Sequence, residues 1–205
     1  MIAIIDYKAG NLASVSNAFR RLGAEFIITD DITKLNEADA IVFPGVGHAE
    51  SAMQALGEKG LDKFLKTTDK PVLGICLGMQ LFYESTEEGD TDGLGIIPGR
   101  LLKFDPAQGK VPHMGWNTID IQANHPVLEG IESGSYFYHV HSYYAPINEY
   151  TLASGEYINS FASIVAYKNY TGVQFHPEKS GKNGEKLLEN FLKTLPRETA
   201  TISTS

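Results

Sequence analysis

The sequence predicts a single α/β domain, with a central, mostly parallel or mixed sheet and helices flanking it. Three observations predict this. The chain has 205 residues, 42% of them apolar, with no break in composition before residue 195, so one core of ordinary size accounts for residues 1–195. In the first half, short apolar runs alternate with amphipathic stretches, and strands separated by helices pair in parallel. From Gly93 onward the texture turns to short β-rich pieces punctuated by Gly and Pro, which read as a mixed or antiparallel extension of the sheet.

The elements follow in order. Residues 1 to 6 form an apolar run that reads as a buried strand, after which Leu12, Val15, Phe19 and Leu22 fall at helical spacing until Gly23 ends the pattern. Residues 25–29 and 40–43 are further short strands, each followed by turn or helix signals. A fourth strand, residues 71–76, feeds a helix predicted from Leu77 to about Glu84. Strand-like pieces recur at 115–121, 136–144, 163–167 and 171–175. Leu187, Leu188, Phe191, Leu192 and Leu195 make an apolar helical face, and the small, polar residues 196–205 read as a flexible tail.

Charge and composition narrow the function classes. Lys and Arg number 17 against 25 Asp and Glu, a net charge of -8, and no basic stretch is present to neutralise a run of phosphates, so nucleic acid is excluded as a partner. The N-terminal apolar run is too short for a signal-peptide core, and nowhere do about 18 uncharged apolar residues follow one another. The protein is therefore expected to be soluble and cytoplasmic, with no membrane association. Its single cysteine has no partner for a disulfide and cannot supply the paired thiolates of a structural zinc site, so Cys76 matters as a thiol or not at all.

The run Val72-Leu73-Gly74-Ile75-Cys76-Leu77-Gly78 carries an apolar strand through Gly-x-Cys-x-Gly into a helix, the thiol form of a nucleophile elbow. A nucleophile on such a turn sits in strained backbone geometry, and its neighbours must lack side chains for chain and substrate to approach. The positive end of the helix dipole favours a thiolate there, and the amide N–H of Leu77 can face a developing oxyanion. The plainer alternative is that Cys76 is a small buried hydrophobe. A thiol nucleophile needs a general base, and the base needs an orienter. Gly172-Val173-Gln174-Phe175-His176-Pro177-Glu178 offers His176 at a strand end and Glu178 two positions on, where its carboxylate can turn back to the imidazole. Without the elbow, the pair would read as an exposed loop histidine beside an acid. The other histidines, His48, His113, His125, His139 and His141, have no carboxylate so placed, and none pairs with Cys76 at metal-ligand spacing. Phe43-Pro44-Gly45-Val46-Gly47-His48 ends a strand in a glycine-rich loop that presents backbone amides; that of Gly47 is the candidate second oxyanion donor beside Leu77. A phosphate cradle is the weaker reading, because the spacing and Lys-Ser/Thr ending of a P-loop are missing.

Together, Pro44-Gly-Val-Gly47, Gly74-Ile-Cys-Leu-Gly-Met-Gln80 and Gln174-Phe-His-Pro-Glu178 resemble the class I (triad) glutamine amidotransferases. Three further segments, residues 6–11, 112–117 and 139–143, are similar to the glutaminase-subunit family of imidazole glycerol phosphate synthase, and the likeness covers roughly residues 1 to 195. Lys8 departs from it, standing where the family leads one to expect glycine. The resemblance implies a flavodoxin-like fold and hydrolysis of L-glutamine through a cysteinyl thioester, with Cys76 as nucleophile, His176 as proton carrier and Glu178 as its orienter. It also implies that Gln80 and the Ser142-Tyr143 backbone hold the α-amino and α-carboxylate groups of glutamine, that Gly45 lines the pocket, and that Glu84 assists at the ammonium group. The implied partner is a (β/α)₈ cyclase subunit, forming a heterodimer that receives the ammonia for histidine biosynthesis; no metal or organic cofactor is implied. Asn11, Trp116, Tyr138 and Lys179 are the candidates for the docking face, a core position being the alternative for Trp116.

Overall fold

The computed structural model of the chain describes residues 1–7 and 11–195; Lys8 and the expected tail at 196–205 lie outside the described residues. Four parallel strands open the chain: β1 (Ile2–Ile5), β2 (Phe26–Thr29), β3 (Ala40–Gly45) and β4 (Val72–Cys76). They are joined by α1 (Leu12–Arg21), by α2 (Ile32–Glu37), and by the pair α3 (Ala49–Glu58) and α4 (Leu61–Thr67). Helix α1 begins where the Asn11 side chain accepts a hydrogen bond from the Ser14 N–H at 3.2 Å.

Alternate strand residues serve two cores. Ala3, Ile5, Ile41 and Phe43 pack with Leu56, Phe64 and Leu65 of α3 and α4. Ile2, Ile4, Val42, Leu73 and Ile75 pack on the other face with Val15 and Phe19 of α1 and with Leu187, Leu188 and Phe191 near the C-terminus. Burial on both faces explains why β1, β3 and β4 read as unbroken apolar runs, and each buried aliphatic side chain contributes roughly 1.5–3 kcal/mol.

After β4 the chain departs from expectation. The helix predicted from Leu77 to about Glu84 is a single turn, α5 (Leu77–Gln80), followed by β5 (Tyr83–Thr86). The cause is tertiary. The Leu94 N–H donates to the Leu81 carbonyl, and those of Ile96 and Ile97 to the Phe82 carbonyl, all at 2.8 Å, so backbone pairing from ten or more residues away draws the segment out of the helix. The result is a second sheet in which β6 (Thr91–Asp92), β5, β7 (Ile97–Lys103) and β11 (Tyr143–Tyr144) lie side by side.

A two-stranded antiparallel ribbon, β8 (His113–Thr118) with β10 (Tyr136–His141), stands apart. The remaining strands are β9 (Asp120–Ile121), β12 (Thr151–Glu156), β13 (Ser160–Tyr167) and β14 (Tyr170–Val173), and α6 (Gly181–Lys193) closes the domain. They extend the main sheet to the order β2-β1-β3-β4-β14-β13-β12-β9. Strand β14 is antiparallel to β13 but parallel to β4, with Val173 opposite Ile75. That one pairing positions the site: Cys76 follows Ile75, His176 comes three residues after Val173, and both emerge at the carboxyl edge where open α/β sheets bind ligands. Among the described residues, no helix is long and apolar enough to cross a membrane.

Candidate active site

Cys76 has φ 54° and ψ -109°, a left-handed conformation that strains any residue with a side chain. The two glycines of the motif let the neighbours close over it. A Cβ on Gly78 would fall on the Phe43 carbonyl of β3, and one on Gly74 would lie 2.6 Å from the Phe82 ring and 2.8 Å from the Met79 nitrogen. Leu77 is the first residue of α5, so its N–H has no acceptor within the helix and is available to a ligand.

The imidazole of His176 is buried between two partners. Its Nδ1 lies 2.9 Å from Glu178 Oε1, which the short turn Pro177–Lys179 brings back beneath the ring. Its other partner is Cys76, near enough for the sulfur to favour the charged ring. Burial disfavours the charged ring, but the hydrogen bonds and charges of Cys76 and Glu178 outweigh it and raise its pKa to about 10. The arrangement is therefore an imidazolium beside a sulfur at neutral pH. The backbone is held as firmly: the His176 N–H donates to the Tyr138 carbonyl at 2.9 Å, and Ser180 Oγ donates to the His176 carbonyl at 2.6 Å while accepting the Tyr138 N–H at 3.0 Å.

Cys76 and His176 open on a cleft of about 310 Å³ whose walls include Val46, Gly47, Leu77, Gln80, Ser142, Tyr143 and Lys179. Gln80 Nε2 donates to the Tyr143 carbonyl and to Gln174 Oε1, both at 3.0 Å, so the group it offers a ligand is its own carbonyl oxygen. Two expected residues are not in this wall. Gly45 sits behind it, where a Cβ would meet the Tyr7 hydroxyl at 2.7 Å and the Gly78 nitrogen at 2.8 Å; its smallness lets strands approach, and Val46 and Gly47 line the cleft instead. Glu84 is on β5 because α5 ends early, and its carboxylate accepts the Gly99 N–H at 3.0 Å. The acid in the cleft is Glu88, which sequence reasoning missed. Its Oε2 accepts the Ala49 N–H at 2.8 Å, tying it to the start of α3. Its one visible signal is the acidic pair Glu87-Glu88 in a turn-rich stretch.

The β8–β10 ribbon has two unlike faces. Trp116 lies opposite Tyr138 and Met114 opposite Val140; Trp116 is 55% exposed and Met114 61%, so the core alternative for Trp116 does not hold. The other face carries His113, His139 and His141, all buried. His141 Nδ1 must donate to the Tyr143 carbonyl at 2.8 Å, which leaves its Nε2 to accept from His113 Nδ1 at 3.0 Å. Burial lowers His113 to about 4 and, with the nearby charge of His113, His139 to about 3. These neutral rings fix the Ser142-Tyr143 turn, a role that nothing in their spacing reveals. Asn11, placed by the resemblance at the docking face, caps α1. Among the described residues no cluster of His, Cys, Asp and Glu is arranged to hold a metal ion.

A parallel sheet that delivers a cysteine on a strained turn beside a His–Glu pair defines a triad amidotransferase, and the family model for class I glutamine amidotransferases matches residues 3–195. A solved glutamine amidotransferase superimposes with a TM-score of 0.72 at 18% identity, over 94% of this chain and 98% of that one. An imidazole glycerol phosphate synthase subunit HisH of Bacteroides fragilis is 47% identical over 193 residues, 93% of this chain and 98% of its own. That of Archaeoglobus fulgidus is 48% identical over 199 residues, 96% of this chain and all of its own. The chain belongs to the class I glutamine amidotransferases and, within them, to the HisH family.

Proposed function

We propose that the domain spanning residues 1–195 hydrolyses L-glutamine to glutamate and ammonia and passes the ammonia to a synthase partner in histidine biosynthesis. The array of Cys76, His176 and Glu178 at the adjoining ends of β4 and β14 carries this reading. Cys76 attacks the side-chain amide carbon of glutamine, and the oxyanion that forms is held by the Leu77 N–H and, from the facing loop, that of Gly47. His176 gives its proton to the departing ammonia, leaving a thioester on Cys76. It then takes a proton from the water that attacks that thioester, and glutamate leaves as the sulfur is released. Glu178 keeps the His176 ring oriented through both steps and favours its charged form whenever it carries the second proton.

The α-carboxylate and α-ammonium of glutamine are held by the Ser142-Tyr143 backbone and the Gln80 carbonyl oxygen. Glu88, whose charge lies in the same cleft, takes the part that the sequence suggested for Glu84. The partner is a (β/α)₈ cyclase subunit that forms a heterodimer with this chain. It docks over the aromatic face of β8–β10 with Trp116 and Tyr138, next to Lys179 and with Asn11 at the rim. An exposed apolar face directly behind the catalytic histidine supports this placement.

The test is glutamate production by the purified chain, alone and with the cyclase subunit and an analogue of its substrate, using Cys76→Ala as the blank. Activity that rises with the loaded partner and vanishes in the blank is expected. Turnover indifferent to the partner would sink the assignment of the partner; activity persisting in Cys76→Ala would sink that of the nucleophile.

A further inference from the structure

Gln174 has no part in the steps above, yet it touches the reacting atom. Its side chain is fully buried and bridges Gln80 to the sulfur: Oε1 accepts from Gln80 Nε2 at 3.0 Å, and Nε2 donates to Cys76 Sγ at 3.8 Å. A backbone group dictates this polarity. The Tyr143 carbonyl can only accept, so the Gln80 atom 3.0 Å from it is the amide nitrogen. The same nitrogen faces Gln174, which must present its oxygen there and turn its –NH₂ to the sulfur.

Besides His176 and Gln174, the sulfur has a polar neighbour with the opposite preference. The Val140 carbonyl, 3.7 Å from Sγ, suits a thiol that donates S–H and opposes a thiolate. A donor from Gln174 does the reverse, because hydrogen bonds to an ionised acceptor are stronger than those to a neutral one. In a buried site, an amide N–H aimed at sulfur is also the donor with most to lose if its acceptor moves.

We propose that Gln174 is a catalytic residue: its amide donates to Cys76 Sγ and holds the sulfur as a thiolate, while Gln80 sets the direction of that donor. The proposal rests on the glutaminase reading of Cys76 and deepens it. Gln80 lines the cleft, so a substrate group that engages Gln80 acts on the nucleophile through one intervening side chain.

The experiment compares wild type with Gln174→Met and Gln174→Glu, reading the thiolate and its alkylation on the full chain alone and turnover on the same chain with its cyclase partner. The first keeps the length without any donor; the second keeps the acceptor for Gln80 but replaces the amide donor. Because the chain has a single cysteine, the ultraviolet thiolate absorbance lost on alkylation reports on Cys76 alone. At neutral pH, the thiolate signal should fall and alkylation by iodoacetamide slow by about tenfold in both variants, with kcat falling in step and KM for glutamine nearly unchanged. A wild-type thiolate signal in a variant with a normal thermal transition, or a raised KM with kcat intact, overturns the proposal. The side-chain amide proton resonance of Gln174 in the wild-type protein needs no variant: it should shift when Cys76 is alkylated, and an unmoved resonance overturns the proposal equally. Failure of wild type itself to release glutamate would count against the glutaminase reading and leaves these thiolate measurements to decide the role of Gln174.

Discussion

At Glu178, one carboxylate oxygen meets His176 Nδ1, and the other is buried with no hydrogen-bond partner among the described residues. A carboxylate so placed depends on the imidazolium for its neutralisation, and the imidazolium on it. The pKa of about 10 for His176 compares with roughly 6.5 for an unfolded histidine. Between those values the folded chain keeps a proton that the unfolded chain has lost. The stability this contributes is therefore complete below about pH 6.5 and disappears as pH rises through about 10. Glu178→Gln keeps the shape and removes the charge. Its kcat should fall by about a hundredfold or more, and its alkaline loss of stability should begin at lower pH than in wild type; steady-state glutamate release and thermal unfolding measured across alkaline pH check the two effects.

Element by element, the turn from β4 into α5 is the least forgiving. Gly78→Ala places a methyl group on the Phe43 carbonyl, an overpacking that has only backbone to push against. A loss of about 3 kcal/mol is expected, read as a lower midpoint in denaturant with an unchanged slope. This intolerance is also why the elbow was legible. Positions where backbone meets backbone leave glycines in the sequence at fixed offsets, and strands buried on both faces leave apolar runs, so β1, β3, β4 and the turn at Cys76 could be read from the sequence. Strand β5 could not, because Leu81 and Phe82 suit a helix or a strand equally well and the choice is made by Leu94, Ile96 and Ile97. The misplacement of Glu84 followed directly from that. Gln174 stood in plain view inside its motif, but the direction of its amide depends on a carbonyl at Tyr143. Glu88 reaches the cleft only because the second sheet folds back over α3.

For the whole molecule, the β8–β10 ribbon joins an exposed aromatic face to His176 through Tyr138, whose backbone carbonyl and N–H are bonded to His176 and Ser180. The backbone of the ribbon is thus hydrogen-bonded directly to the segment that carries His176. Trp116→Ala removes the largest exposed ring of that face. It should weaken cyclase binding by about ten- to a hundredfold, measured by titration calorimetry, while leaving the melting temperature of the isolated chain nearly unchanged because Trp116 is not in the core.

The place of β14 in the sheet bears on how the protein is made. Strand β4 is complete when residue 76 leaves the ribosome, yet its free edge waits for residues 170–173. Until then the growing chain exposes an unpaired apolar strand, the kind of edge that chaperones cover and that pairs wrongly when crowded. His176 and Glu178 arrive just behind the strand that closes the sheet, so the nascent thiol stays without this pair until the fold around it is nearly finished.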